Sequence, residues 1–203
     1  MRTSAALAAA LFLAVPLLAQ PTVDVTAFAG YRWGGTIDDD GFYAEGEELS
    51  VADSGSVGAI VGFGLGPNLS LELSVSRQQS ELESSFGIFD PETVLGDVDL
   101  TYYQAGVTFE WGRDVRPFFG ASLGAATIDP DIPETSSETR FAGSFSAGVK
   151  LHLSDHVGLR LDGKMLWIAL EGEDDCYSLC YEDGMYGDGM LQGEVAAGVI
   201  IFF

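Results

Sequence analysis

Hydrophobic and polar residues alternate with a period of two in eight segments of the chain. Such alternation is typical of β-strands that have one apolar and one polar face. Clusters of glycine, aspartate, asparagine and proline separate the segments, and we therefore predict an all-β protein. The predicted strands are Thr22–Trp33, Ser54–Leu65, Asn68–Gln78, Asp97–Trp111, Phe118–Thr127, Thr139–Leu153, Val157–Leu170 and Met190–Phe203.

The length of these strands indicates where the protein is located. Strands of soluble proteins average about 5–6 residues, whereas a tilted strand that crosses a bilayer needs about 9–11. Most of the predicted strands reach the longer class. Strand length therefore favours a membrane barrel over a soluble sandwich.

The connections between the strands alternate between short and long. Barrels of the outer membrane have short periplasmic turns and long extracellular loops. The sequence therefore predicts an eight-stranded antiparallel up-and-down transmembrane β-barrel. The short connections are 66–67, 112–117 and 154–156, and the long ones are 34–53, 79–96, 128–138 and 171–189.

The N-terminal residues have the pattern of an export signal. An apolar run follows Arg2 and ends at the small residue Ala19. The run is short for a spanning helix, and Pro16 interrupts it. We expect residues 1–19 to be a signal peptide and residues 20–203 to form the barrel domain in the bacterial outer membrane. A buried N-terminal helix is the alternative.

The two faces of the strands allow two arrangements. In a soluble barrel the apolar face would surround a ligand or a core, whereas in a membrane barrel it faces lipid and the charges pair inside. Aromatic residues near strand ends favour the membrane arrangement, because aromatic girdles mark membrane interfaces. These residues are Tyr31, Trp33, Trp111, Trp167 and Phe203. A soluble periplasmic ligand-binding barrel with inverted faces is the alternative.

Acids and bases on the polar faces are nearly balanced. An eight-stranded barrel is just wide enough for its side chains to fill, and an unpaired charge in a low-dielectric interior costs several kcal/mol. We therefore predict a network of ion pairs in the lumen, which either fills the barrel or forms a gate that rearranges to pass ions. Its predicted members are Asp24, Arg32, Glu72, Glu110, Arg140, Lys150, Arg160, Asp162, Lys164 and Glu194, with His152 as an inward or rim residue.

The last predicted strand carries a resemblance to a known family. Its apolar positions alternate and end on the aromatic Phe203. Together with the eight segments, this pattern resembles the small eight-stranded outer-membrane β-barrels, the group that contains OmpX and the transmembrane domain of OmpA. The resemblance implies that Val199, Ile201 and Phe203 form the signal that the barrel-assembly machinery recognises.

The net charge of the chain limits the classes of partner that we expect it to bind. The chain has 31 Asp and Glu against 9 Lys and Arg, a formal net charge of −22. This charge repels phosphate backbones, so we expect no nucleic acid partner. Most acids lie in the predicted long loops, where they would form a negative rim that attracts cations. The rim either keeps the protein soluble and apart from its neighbours, or binds Ca²⁺ or Mg²⁺ that bridges it to anionic lipopolysaccharide.

Cysteine and histidine offer little catalytic chemistry. Cys176 and Cys180 lie in the last long loop, and we expect a disulfide between them because an exported chain meets an oxidising compartment. A metal or redox site is the alternative there. His152 and Ser154 are similar to the His-x-Ser arrangement of lipid A deacylases, but they adjoin a short turn, on the side away from lipid A. We therefore expect neither enzymatic activity nor a cofactor.

The function expected from the sequence is a structural or surface-interaction role through the acidic extracellular loops. Outer-membrane lipid and lipopolysaccharide are the expected surroundings. A narrow, porin-like channel that conducts ions through the charged lumen is the alternative.

Overall fold

The computed structural model describes residues 23–37, 47–86, 93–131, 137–169 and 189–203. The predicted signal peptide lies outside these residues. Within them, no helix is long and apolar enough to cross a membrane. The described residues form nine β-strands: β1 Val23–Ile37, β2 Glu47–Val51, β3 Ser54–Gly64, β4 Leu69–Phe86, β5 Thr93–Glu110, β6 Val115–Pro130, β7 Glu138–His152, β8 Val157–Ala169 and β9 Gly189–Phe202.

The strands form one antiparallel sheet that closes on itself. From β3 to β9 each strand pairs with the next along the chain, and β1 pairs with both β3 and β9. The short strand β2 pairs with β1 and β4, as β3 does, and only residues 52–53 separate it from β3. The two segments therefore act as one strand of the wall. The result is a closed eight-stranded antiparallel barrel, which confirms the predicted fold class.

A bulge in β1 lies beside the break between β2 and β3. Gly34 and Gly35 have φ angles of 77° and 123°, which glycine adopts without the strain of a side chain. The register between β1 and β9 shifts between Gly34 and Ile37. The Gly34 amide donates a hydrogen bond of 3.1 Å to Oδ1 of Asp53. Such a bulge bends the strand and changes the local twist of the wall.

The two ends of the barrel differ. At one end, called here the short-turn end, residues 65–68, 111–114 and 153–156 connect the strands. At the other, the long-loop end, β4 and β5 run further than predicted, to Phe86 and from Thr93. The reason is that backbone pairing continues through the charged positions, where Glu81 pairs with Asp97. Several acids expected in loops therefore lie in strands.

The outer surface between the two ends is apolar. Leu73, Val107 and Phe145 are 46%, 49% and 62% exposed, although each is hydrophobic. An exposed apolar band of this extent suits a lipid environment, with the charged residues turned inward. The alternative of a soluble barrel with an apolar lumen facing a ligand is therefore wrong.

Candidate functional site

Strand register places the charged residues of neighbouring strands side by side in the lumen. Alternation turns Arg160, Asp162 and Lys164 of β8 to the same, inner side of the wall. In the strand register, Lys164 lies directly beside Glu194 of β9, and Arg160 lies directly beside Lys150 of β7. The half of the lumen nearer the short-turn end therefore contains a dense set of charges.

Glu72 is the centre of the first group of ion pairs. Its Oε1 atom lies 2.8 Å from Arg160 Nη1 and 3.0 Å from Lys150 Nζ. Arg160 also donates a hydrogen bond of 2.8 Å from Nε to Asp162 Oδ2. Lys150 Nζ lies 3.8 Å from Glu110 Oε1. One carboxylate thus holds two bases, and each base reaches a further acid.

Glu194 is the centre of the second group. Its Oε2 accepts hydrogen bonds from Arg32 Nε at 2.5 Å and from Ser56 Oγ at 2.8 Å. Its Oε1 accepts one from Lys164 Nζ at 3.0 Å. Lys164 lies 4.0 Å from Asp162 Oδ1, which joins the two groups. The ion pairs therefore form one continuous network across the lumen.

Each of the four bases in this network also lies over an aromatic ring. Arg160 Cζ is 4.4 Å and Lys150 Nζ is 5.9 Å from the ring centre of Phe118. Lys164 Nζ lies 4.1 Å from the Phe28 ring, and Arg32 Cζ lies 4.7 Å from the Tyr102 ring. Cation–π contacts of this kind are worth about 2 kcal/mol or more when desolvated. The sequence reasoning assigned no aromatic residue to the lumen.

Two predicted members of the network lie apart from it. Arg140 is on β7, ten residues from Lys150, which is about 33 Å along a strand. It pairs with Glu138 at the long-loop end, with a distance of 2.8 Å. Including it in the central network is therefore a misassignment. Asp24 lies in the lumen, but among the described residues no base forms an ion pair with it.

An apolar layer fills the half of the lumen nearer the long-loop end. These side chains are at most 5% exposed and pack together, with Leu82 and Ile128 against them. This part of the described lumen is therefore lined mainly by apolar side chains. The layer consists of Val51, Val98, Leu100, Tyr102, Ala126, Ala142, Leu166, Ile168 and Met190.

Polar side chains form the boundary between the apolar layer and the charged network. Tyr102 Oη donates a hydrogen bond of 2.8 Å to Gln192 Oε1. Gln192 Nε2 in turn donates one of 3.2 Å to Gln78 Oε1. Hydrogen bonding thus satisfies the side-chain amides where the lumen changes from polar to apolar.

Sequence reasoning missed the apolar layer, although one signal for it exists. Most of β8 alternates, but residues 165–169 read Met-Leu-Trp-Ile-Ala without a polar residue. A strand that is buried on both faces has such a continuous apolar run. The run therefore indicates that the inner face becomes apolar towards the long-loop end.

Acids cover the outer face of β4, β5 and β6 near the long-loop end. Glu81, Asp97, Asp99, Asp129 and Asp131 line a groove of about 420 Å³ there, which we call the acidic outer face. Beside it, Arg77 Nη2 lies 2.6 Å from Asp99 Oδ2. The hydrogen bond from Arg77 lowers the pKa of the Asp99 carboxyl. Among the described residues, no group of three or more His, Cys, Asp or Glu side chains is arranged to hold a metal ion on its own.

The remaining predicted residues lie at the short-turn end or outside the described ranges. The His152 ring stacks on Phe202, with centroids 4.3 Å apart, so it is a rim residue. Ser154 Oγ accepts a hydrogen bond of 3.1 Å from the Val157 amide, which gives this hydroxyl a role in the turn. Cys176 and Cys180 lie outside the described residues. Val199, Ile201 and Phe203 face outward and are 48%, 40% and 76% exposed.

Solved structures of outer-membrane proteins share this fold. Neisserial surface protein A matches with a TM-score of 0.62 at 16% identity, over 91% of this chain and all of that one. OprG from Pseudomonas aeruginosa matches with a TM-score of 0.61 at 13% identity, over 91% and 96% of the two chains. Ail of Yersinia pestis, in complex with the heparin analogue sucrose octasulfate, matches with a TM-score of 0.50 at 12% identity, over 91% and 100%. No curated protein matches the sequence.

The sequence itself matches a family profile. The profile of the outer membrane protein beta-barrel domain covers residues 6–181, which is most of the chain. Its match agrees with the closed antiparallel barrel and with the apolar outer band. The protein is thus located in the bacterial outer membrane, where barrels of this kind have their short turns on the periplasmic side. This chain belongs to the outer membrane protein beta-barrel domain family.

Proposed function

We propose that the protein is a closed barrel that acts at the cell surface, through its long-loop end, and not through its lumen. The observation that carries this proposal is the apolar layer across the lumen. Leu100, Leu166 and Met190 of this layer are 0%, 1% and 2% exposed. An ion that entered the layer would lose its hydration without receiving polar ligands, and hydrophobic constrictions block conduction in this way.

The charged half of the lumen supports the same role. Arg160 and Lys150 each contact Glu72 within about 3 Å, and these side chains are buried. Removing one partner of such a pair costs about 3–5 kcal/mol, because it leaves an uncompensated buried charge. The network therefore acts as a rigid filling of the barrel.

The acidic outer face supplies a surface for interaction. Its carboxylates lie on the outside of the wall, beyond the apolar band. Asp129 near the end of β6 and Asp131 just after it extend the acidic outer face towards the long loops. Carboxylate oxygens attract divalent cations, which also bind the phosphate groups of lipopolysaccharide. In this proposal, Mg²⁺ or Ca²⁺ bridges the acidic outer face to the surrounding lipopolysaccharide and stabilises the envelope.

A narrow channel is the second candidate function. The polar boundary of Gln78, Tyr102 and Gln192 favours it, because a rearrangement of these hydrogen bonds would be the first step in opening the layer above. In that case the apolar layer would be a gate and not a permanent closure.

Conductance in a planar bilayer tests the two candidates. We expect the refolded protein to show no discrete steps. A variant with Leu100→Ser and Leu166→Ser should conduct, because it makes the layer polar. Leu123→Ser is the matched control, since Leu123 faces outward and is 57% exposed. Regular steps in the unaltered protein would overturn the closed-barrel proposal in favour of the channel.

A lipid experiment tests the surface role. The protein is placed in vesicles with and without lipopolysaccharide, and its unfolding temperature is measured as Mg²⁺ is added. We expect Mg²⁺ to raise this temperature only with lipopolysaccharide, and Asp97→Asn with Asp129→Asn to reduce the rise. Asp114→Asn, in a short turn, is the control. An equal rise in plain phospholipid would contradict the bridging role.

A further inference from the structure

A polar vestibule opens at the short-turn end of the barrel. Its volume is about 350 Å³. The stacked rings of His152 and Phe202 stand at its mouth, and Asp24, Glu110 and Lys150 line it further in. The vestibule therefore connects the periplasmic side to the charged half of the lumen.

Asp24 is the unusual residue of this vestibule. Only 8% of it is exposed, and its Oδ1 atom is buried without a hydrogen-bond partner among the described residues. Lys150 Nζ and His152 Nδ1 in the same vestibule also lack a hydrogen-bond partner, but Lys150 Nζ lies 3.0 Å from Glu72 Oε1, whereas Asp24 has no ion-pair partner among the described residues. Two residues further along the same inner face, the buried Thr26 Oγ1 also lacks a partner. Buried polar atoms are nearly always hydrogen-bonded, so two neighbouring exceptions call for a further polar partner, such as water or an ion.

The neighbouring strand β3 leaves space for the Asp24 carboxylate. Gly62 of β3 pairs in register with Asp24. A Cβ atom at Gly62 would lie 2.5 Å from Asp24 Oδ2, closer than such atoms approach. A larger residue there would displace the carboxylate, so glycine keeps Asp24 directed into the lumen.

Among the described residues, Asp24 has no base within ion-pair distance, because the bases around the vestibule pair with other acids. Arg32, Lys150, Arg160 and Lys164 are the bases of the lumen, and all four lie within ion-pair distance of other acids. Their partners are Glu72, Glu110, Asp162 and Glu194. At the mouth, the partly exposed Arg116 lies 3.8 Å from Glu110. Among the described lumen residues, Asp24 is the carboxylate without a base.

We propose that the vestibule binds a monovalent cation from the periplasmic side, with the Asp24 carboxylate as its charged ligand. One unmatched carboxylate neutralises one unit of charge. A divalent cation prefers several oxygen ligands and more negative charge, and Lys150 in the same vestibule opposes it. Thr26, two residues further along the same face of β1, has the next side-chain oxygen of that strand, and it is buried. This inference does not depend on the role of the acidic outer face.

Ion-dependent stability tests the site. The unfolding midpoint of the refolded protein in detergent is measured as KCl replaces choline chloride at constant ionic strength. A ligand that binds only the folded state raises stability with its concentration. We expect the midpoint to rise with K⁺, the rise to be lost in Asp24→Asn, and the rise to remain in Asp155→Asn. Asp155 is an exposed carboxylate at the rim of the same vestibule, so it controls for loss of charge.

Two further measurements do not depend on the folding of a variant. The NMR signal of thallium(I), a K⁺ surrogate, should broaden with the unaltered protein and recover when K⁺ competes. The infrared spectrum should contain no band of a buried protonated carboxyl group at neutral pH. A K⁺-independent midpoint, an equal rise in Asp24→Asn, an unaltered thallium signal, or a protonated Asp24 would each overturn the proposal.

Discussion

Arg32 of β1 and Glu194 of β9 form a fully buried ion pair across the strands that close the barrel. Their Nε and Oε2 atoms are 2.5 Å apart, and neither side chain is exposed. The same two residues are paired in the register of the closing strands. The pair thus joins the polar network of the lumen to the backbone pairing that closes the wall.

Arg32→Met should destabilise the barrel by about 3 kcal/mol, the lower end of the range for breaking a buried pair, because Glu194 would lose its closest base but keep Lys164 at 3.0 Å. The double variant with Glu194→Gln should lose less than the sum of the single changes, since neither charge is then left alone. Urea unfolding in detergent measures both effects. Arg77→Met, at an exposed pair, is the control and should change stability little. Additive losses would show that the pair is not coupled.

Asp99 should titrate at lower pH than an ordinary aspartate, because Arg77 donates a hydrogen bond to its ionised form. The folded-state pKa is lowered, so the small stabilisation is present above the pKa of the unfolded chain. It is lost as the pH falls through the folded-state value. Carbon NMR of labelled aspartate follows the titration. Arg77→Gln should raise the Asp99 pKa, and an unchanged value would exclude Arg77 as the cause.

Leu166→Ala should destabilise the protein by about 2–5 kcal/mol, because it opens a cavity in the packed apolar layer. Leu166 is 1% exposed. Leu161→Ala on the same strand is the matched control, since Leu161 is 49% exposed and faces outward. Unfolding in detergent should show a clearly smaller loss for the control. Equal losses would mean that the layer is not tightly packed.

Gly193→Ala should displace the Trp33 side chain, because an added Cβ would lie 2.5 Å from Trp33 Cε2. Overpacking in a core costs about 1–3 kcal/mol, and we expect a loss at the lower end of this range because the Trp33 ring is 41% exposed and can turn away. Tryptophan fluorescence should shift as the ring leaves its place on the outer surface. Gly163→Ala is the control, because its nearest atoms would be 3.9 Å and 4.0 Å away. A change of the same size in the control would rule out this contact as the cause.

The strands and the faces of this protein could be predicted from sequence, because alternation reports directly which side of a wall a residue occupies. By that rule, Arg160, Asp162 and Lys164 share one face of β8, and the burial pattern of the strand alternates in the same way. The pairing of Glu72 with Arg160 could not be predicted, since the two residues are 88 positions apart and meet only through closure of the barrel. Alternation also gives no height along the barrel axis, which is why it groups Arg140 with residues that lie far from it along the strands.

Alternation also fails to predict the apolar layer. A rule that assigns one polar and one apolar face fails where both faces are apolar, as at Leu166 and Ile168. The inward aromatic rings of Phe28 and Phe118 escaped for the same reason. Their contacts with Lys164 and Arg160 depend on which strands face each other across the lumen.

The position of the Arg32–Glu194 pair has a consequence for how the chain assembles. The two residues are 162 positions apart, on the first and last strands of the described barrel, and the pairing of these strands closes the wall. Until they meet, two strand edges with unpaired backbone groups are open, which hydrocarbon does not tolerate. If β9 paired with β1 one residue out of register, every side chain of β9 would turn to the other face of the wall, and Glu194 would face lipid. We therefore expect the ion pair to favour the correct register of closure, because a misaligned closure would separate Glu194 from Arg32 and expose it to lipid.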